Sequence, residues 1–167
     1  MAPTPHLALP LSNPLGRPPI MRTLLNPASK FPAVADLALL VSRVALGVIL
    51  IAHGWQKFNE YTLDGTAASF GDMGVPAPAI AAMFVTAVEV LGGAALILGV
   101  LTPVAGVLNM ISLLGALVLV HVENGVFVQN GGFELVLALF AGLAVIALLG
   151  AGRFSVDGLI GRTAAAR

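Results

Sequence analysis

The chain has 167 residues, enough for one domain, but 58% are apolar, only 10% are charged and the mean hydropathy is +0.99, against about a quarter charged in a soluble domain. That balance excludes a water-soluble enzyme domain. Eight Lys/Arg offset eight Asp/Glu, so the basic excess that a nucleic-acid partner requires is missing. The lack of cysteine removes thiolate nucleophiles, iron–sulfur clusters and zinc–thiolate sites.

Residues 1–35 hold eight of the eleven prolines, too many for a helix or a central strand, and are expected to form a disordered Pro-rich tail. The first basic residue is Arg17 and prolines interrupt the early apolar positions, so no cleavable signal is expected; Met21 offers an alternative start. From residue 37 onward four apolar runs follow, at 37–56, 80–101, 104–120 and 135–151, each of 17 to 22 residues. Spanning about 30 Å of hydrocarbon takes roughly 20 residues. The runs therefore predict an all-α, transmembrane four-helix bundle, with residues 159–167 as a second tail. Too little polar sequence remains to coat a soluble bundle.

The connections support this reading. Residues 57–79 contain Asp64-Gly65, Gly71 and Gly-Val-Pro-Ala-Pro at 74–78, which predict a structured loop leading into the second helix. Thr102-Pro103 predicts a tight hairpin, making helices two and three antiparallel. Asn124-Gly125 and Asn130-Gly131-Gly132 predict turns before the fourth helix. Arg17, Arg22 and Lys30 precede the first span and Arg153, Arg162 and Arg167 follow the fourth, against Lys57 alone on the other side. By the positive-inside rule both termini are expected in the cytoplasm.

Polar residues inside the spans carry the functional information, because each is costly in hydrocarbon. Arg43, Glu89 and Asn109 are expected to point into the bundle as an intramembrane polar core. Arg43 and Glu89 differ in depth by about 9 Å, so Glu89 has two candidate partners, Arg43 and His53. Two readings of this core stand: a structural clamp fixing helix register, or a ligand or proton site. His53 and His121 reach matching depths of about 24 and 25 Å on different helices. Lys57 stands one turn beyond His53 and Glu134 opens the fourth helix at that level. These four are the candidate ligand site near the outer face, the alternatives being interfacial hydrogen bonds and a Lys57–Glu134 surface ion pair. Two histidines alone are weak grounds for haem ligation, and no nucleotide or phosphate motif occurs. Gly92-Gly93 leaves room for close helix approach or a ligand.

Over residues 36–158 the sequence resembles the DoxX family of bacterial four-helix membrane proteins. The resemblance runs, in order, through Arg43, His53-Gly54-Trp55-Gln56-Lys57, Gly74-Val75-Pro76-Ala77-Pro78, Glu89 with Gly92-Gly93, and Gly99-Val100-Leu101-Thr102-Pro103. It continues through His121, Gly131-Gly132-Phe133-Glu134 and Gly152-Arg153-Phe154-Ser155-Val156-Asp157. It implies a multi-pass protein of the bacterial inner membrane linked to redox or thiol homeostasis, since the family takes its name from a subunit of a quinone-linked thiosulfate oxidoreductase. No catalytic residues come with it. The leading expectation is a redox-linked, non-catalytic subunit with quinone as ligand and a soluble oxidoreductase, or a second copy of the chain, as partner beside the lipid bilayer. A scaffold without chemistry and a small proton-coupled or lipid-handling transporter are the alternatives, the latter weakened by the lack of Pro-broken spans and inverted repeats.

Overall fold

The computed structural model describes residues 24–165. The expected disordered tail lies, as far as residue 23, outside that range, as do Arg17, Arg22 and Arg167. Residues 24–35 contain a turn of helix, Pro27–Lys30, and the opening of α1, Pro32–Trp55. Pro32 sits at the first helical position, where a missing N–H costs nothing, so α1 opens five residues ahead of the expected residue 37.

From Asp36 onward the described residues are all helix and turn. α1 continues into a π-helical segment, Gln56–Glu60. The stretch expected as a loop contains a further helix, α2, Leu63–Asp72, whose first turn is capped by the Thr62 hydroxyl accepting from Gly65 N. The long apolar helices α3, Pro78–Leu98, and α4, Thr102–Ala116, follow, the latter running on as a π-helical segment, Leu117–His121. Two 3₁₀ turns, Val122–Asn124 and Val128–Asn130, lead to α5, Glu134–Leu149, and the chain closes with α6, Val156–Ala165. α6 occupies most of the expected second tail.

Three of these segments, Pro32–Glu60, Pro78–Leu98 and Thr102–Asn124, are long and apolar enough to cross a bilayer, and α5 is apolar but shorter. Large apolar side chains such as Val41, Val48, Leu91, Ile111 and Leu148 are exposed, which in water would be an intolerable patch and in lipid is the expected surface. Leu50, Leu96, Leu113, Leu139, Leu143 and Ile146 form the core between the helices.

Without a hydrophobic drive in lipid, helices associate through close packing. Gly47 and Gly93 supply it between α1 and α3: a Cβ on Gly93 would lie 2.8 Å from the Gly47 carbonyl oxygen, and one on Gly47 2.6 Å from that of Gly93. Gly92 faces the other way, its missing side chain leaving room for the Asn109 amide of α4. The α3–α4 connection is the expected hairpin. Gly99 takes the left-handed conformation (φ +71°) and donates to the Ala95 carbonyl at 2.8 Å, with Val100 N beside it at 2.9 Å, the arrangement that closes a helix C-terminus.

Candidate functional site

The three residues expected in the polar core are buried: Arg43 and Asn109 are 0% exposed and Glu89 6%. They do not form one cluster. Arg43 donates from Nη1 to the Leu96 carbonyl at 2.9 Å and from Nη2 to the Phe154 carbonyl at 2.6 Å, with Ile97 O at 3.5 Å. Its guanidinium therefore caps the C-terminus of α3, where unpaired carbonyls and the helix dipole favour a cation, and ties it to the segment after α5. The Arg43–Glu89 pair is thus replaced by backbone capping, because side chains on antiparallel helices lean apart.

Asp157 completes this end. Its carboxylate accepts from Leu101 N and Thr102 N, both at 2.9 Å, while its own N–H donates to Gly99 O. Those bonds hold Leu101 in a left-handed conformation (φ 46°) that a non-glycine residue adopts only when its surroundings insist. Burial raises the Asp157 pKa, but the Thr102 and Leu101 N–H groups and the Arg43 charge outweigh it and hold the carboxyl below its ordinary value. Asn109 is likewise architectural, donating from Nδ2 to Ala105 O at 2.9 Å and across to Val88 O at 3.3 Å.

At the other end of the helices, Glu89 meets Lys57. Nζ lies 2.8 Å from Oε2 and 3.0 Å from Oε1, with the His53 carbonyl at 3.4 Å. Lys57 sits in the π-helical segment of α1, a distortion often found where a helix must re-aim a side chain. His121 sits in the second π-helical segment, and its Nδ1 lies 2.6 Å from the Gly131 carbonyl. A carbonyl only accepts, so Nδ1 carries the proton, leaving Nε2 of the neutral ring as an acceptor. His53 makes no side-chain hydrogen bond among the described residues.

His53, Lys57, Glu89 and His121, together with Ser112, line a cavity of about 610 Å³ whose remaining walls are mostly apolar side chains of α1, α3, α4 and α5, with Phe70 of α2 and Met73 just beyond its end. The structure thus brings together three of the four residues expected near the outer face. Glu134 is the exception. Its Oε1 accepts from Val128 N at 2.8 Å, fastening the 3₁₀ turn, and it does not line the cavity. The alternative, a Lys57–Glu134 ion pair, is not formed, and Glu89 holds the ammonium instead. The pairing of Glu89 with Lys57 and the use of Asp157 as a clamp were missed. Charge balance was the available signal for the first, since Lys57 is the sole cation at that end of the helices. No group of three or more His, Asp or Glu among the described residues is arranged to hold a metal ion.

Comparison with known proteins agrees with this architecture. The DoxX family profile matches residues 38–122. A Bacillus subtilis protein named "Putative oxidoreductase CatD" is 33% identical over 104 residues, 62% of this chain and 74% of its own. An uncharacterized membrane protein of Mycobacterium tuberculosis is 31% identical over 74% of this chain and 82% of its own. The inner membrane protein YqjF of Escherichia coli is 28% identical over 76% and 95%. No solved structure matches significantly. With the family profile covering half of its length and membrane proteins among its relatives, the chain belongs to the DoxX family of membrane proteins.

Proposed function

We propose that this protein is a redox-linked subunit of the inner membrane whose cavity at Lys57 and Glu89 binds a quinone, with electrons delivered by a partner oxidoreductase. One observation carries the reading: donors and acceptors from α1, α3 and α4 converge on a mostly apolar cavity of about 610 Å³, the composition of a small-molecule site. A quinone headgroup offers two carbonyl oxygens. Lys57 Nζ, or His53 in its N–H form, can donate to them, while the Glu89 carboxylate and His121 Nε2 can accept from the hydroxyls of the reduced form. Reduction takes up two electrons and two protons. The chain has no thiol to supply electrons; in this reading a partner supplies them, and these residues bind the headgroup and pass protons. The printed name of the Bacillus subtilis relative supports an oxidoreductase setting. The excess of basic residues flanking the first and last spans supports cytoplasmic termini, which would place the cavity toward the outer leaflet.

The test is saturable binding of a short-chain ubiquinone and of menadione to protein in nanodiscs, alongside quinone analysis of the co-purified lipid. His53→Ala and His121→Ala are expected to weaken binding about tenfold each while thermal melting stays near that of the parent. Equal partitioning into empty nanodiscs, or variants that bind like the parent, refutes the reading.

A further inference from the structure

A second cavity, of about 380 Å³, lies between the π-helical end of α1 and α2. Polar side chains make up more of its lining residues than of the larger one's, although apolar surface predominates in both. Gln56, Tyr61, Thr66 and Ser69 bring an amide and three hydroxyls, whereas the larger cavity has its polar groups gathered at the Lys57–Glu89 pair, the two histidines and Ser112. Lys57, Phe70 and Met73 line both, so these three side chains are the partition between the two spaces. α2 is fastened against the partition by the Thr66 hydroxyl, which donates to the Lys57 carbonyl at 3.1 Å.

Glu89 keeps only 8% of its side-chain surface exposed and Lys57 19%. A buried ion pair stays charged only with strong compensation, and exchange of protons with water requires a polar path. The amide and hydroxyls of the smaller cavity offer water partners along such a path, and at about 30 Å³ per molecule its volume holds on the order of ten waters. Lys57 is the one polar residue shared by both spaces. It is also the most adaptable element of the partition, a point charge on a flexible stem.

We propose that the smaller cavity is a water-filled vestibule, and that water and small hydrophilic cations pass from it across Lys57 and Phe70 to Glu89 and the larger cavity. The inference concerns the route and stands whichever ligand the larger cavity takes.

The cysteine-free sequence allows a direct test on the full chain in nanodiscs. Ser112→Cys places a thiol on the wall of the larger cavity, and labelling with a small, membrane-impermeant cationic methanethiosulfonate measures its access to water. The thiol is expected to react, and Ser69→Trp, filling the vestibule, is expected to slow the reaction at least tenfold. Val145→Trp, on an exposed part of α5 away from both cavities, is expected to leave the rate unchanged. Gly65→Phe, also in the vestibule wall, replaces Ser69→Trp should that variant fail to fold. An inert Ser112→Cys in a protein that labels normally at Glu123→Cys, an exposed position, or a rate indifferent to vestibule filling, overturns the proposal. Quinone binding is read separately, so either reading can fail without the other.

Discussion

Replacing Arg43 separates charge from geometry at the clamped end of the bundle. Its two good hydrogen bonds, 2.9 Å to Leu96 O and 2.6 Å to Phe154 O, are charge-assisted and worth roughly 1.5–3 kcal/mol each; the 3.5 Å approach to Ile97 O adds little. Against that gross gain of about 3–6 kcal/mol stand the burial of the guanidinium and its Nε, which finds no partner. Arg43→Met removes charge and bonds together. Leu96 O keeps the Gly99 N–H at 3.2 Å, so the chief orphan is Phe154 O, and the net loss should be about 3 kcal/mol. Arg43→Lys keeps the charge, but a single ammonium cannot reproduce a planar fork that reaches two carbonyls in different segments. The lysine variant should therefore be no more stable than the methionine one. Reversible unfolding in mixed micelles, followed by far-UV circular dichroism, measures both. Full rescue by lysine, or a loss below about 1 kcal/mol for methionine, would show that capping is not what Arg43 does.

The same assay on Lys57→Met, Glu89→Gln and the double variant should give single losses near the lower end of about 3–5 kcal/mol, since Lys57 is partly exposed, and a double variant costing clearly less than the sum; additive losses would deny the pair. Asp157, whose carboxyl is held below its ordinary value near 3.8, contributes stability that is fully present above that value and lost as pH falls through the lowered one. Melting temperature should therefore drop below about pH 4, and Asp157→Asn should flatten part of that drop; an unchanged profile would count against the clamp. Gly93→Ala should cost about 1–3 kcal/mol by forcing α1 and α3 apart, whereas Gly115→Ala, with open space around the added carbon, should be neutral or gain up to about 1 kcal/mol. Equal effects at the two glycines would contradict the close α1–α3 crossing.

The helices and the inward direction of Arg43, Glu89 and Asn109 were legible because lipid punishes any other placement of a polar group. Which partner each one takes was not. Arg43 satisfies carbonyls at the end of another helix, and backbone acceptors leave no mark in a sequence. Lys57 reaches Glu89 from a π-helical turn, a local change of helix geometry that composition does not reveal. His53 and His121 were matched by depth alone, and both line the larger cavity. The use of Glu134 as a cap depends on the fold of the 3₁₀ turn at Val128–Asn130, which composition does not specify. α2 was hidden because Gly65 and Gly71 read as turn residues, while it is held in place by a Thr62 cap and the Thr66 bond to Lys57 O.

α5 has 16 residues and rises about 24 Å, several ångströms less than the roughly 30 Å of a typical hydrocarbon core. Its three longer neighbours do not share that shortfall, so the mismatch is confined to one flank of the molecule. A thinner bilayer beside α5 is the expected accommodation, at a cost of fractions of a kcal/mol for each ångström. Such a one-sided dimple favours thin membranes and short or disordered acyl chains beside α5.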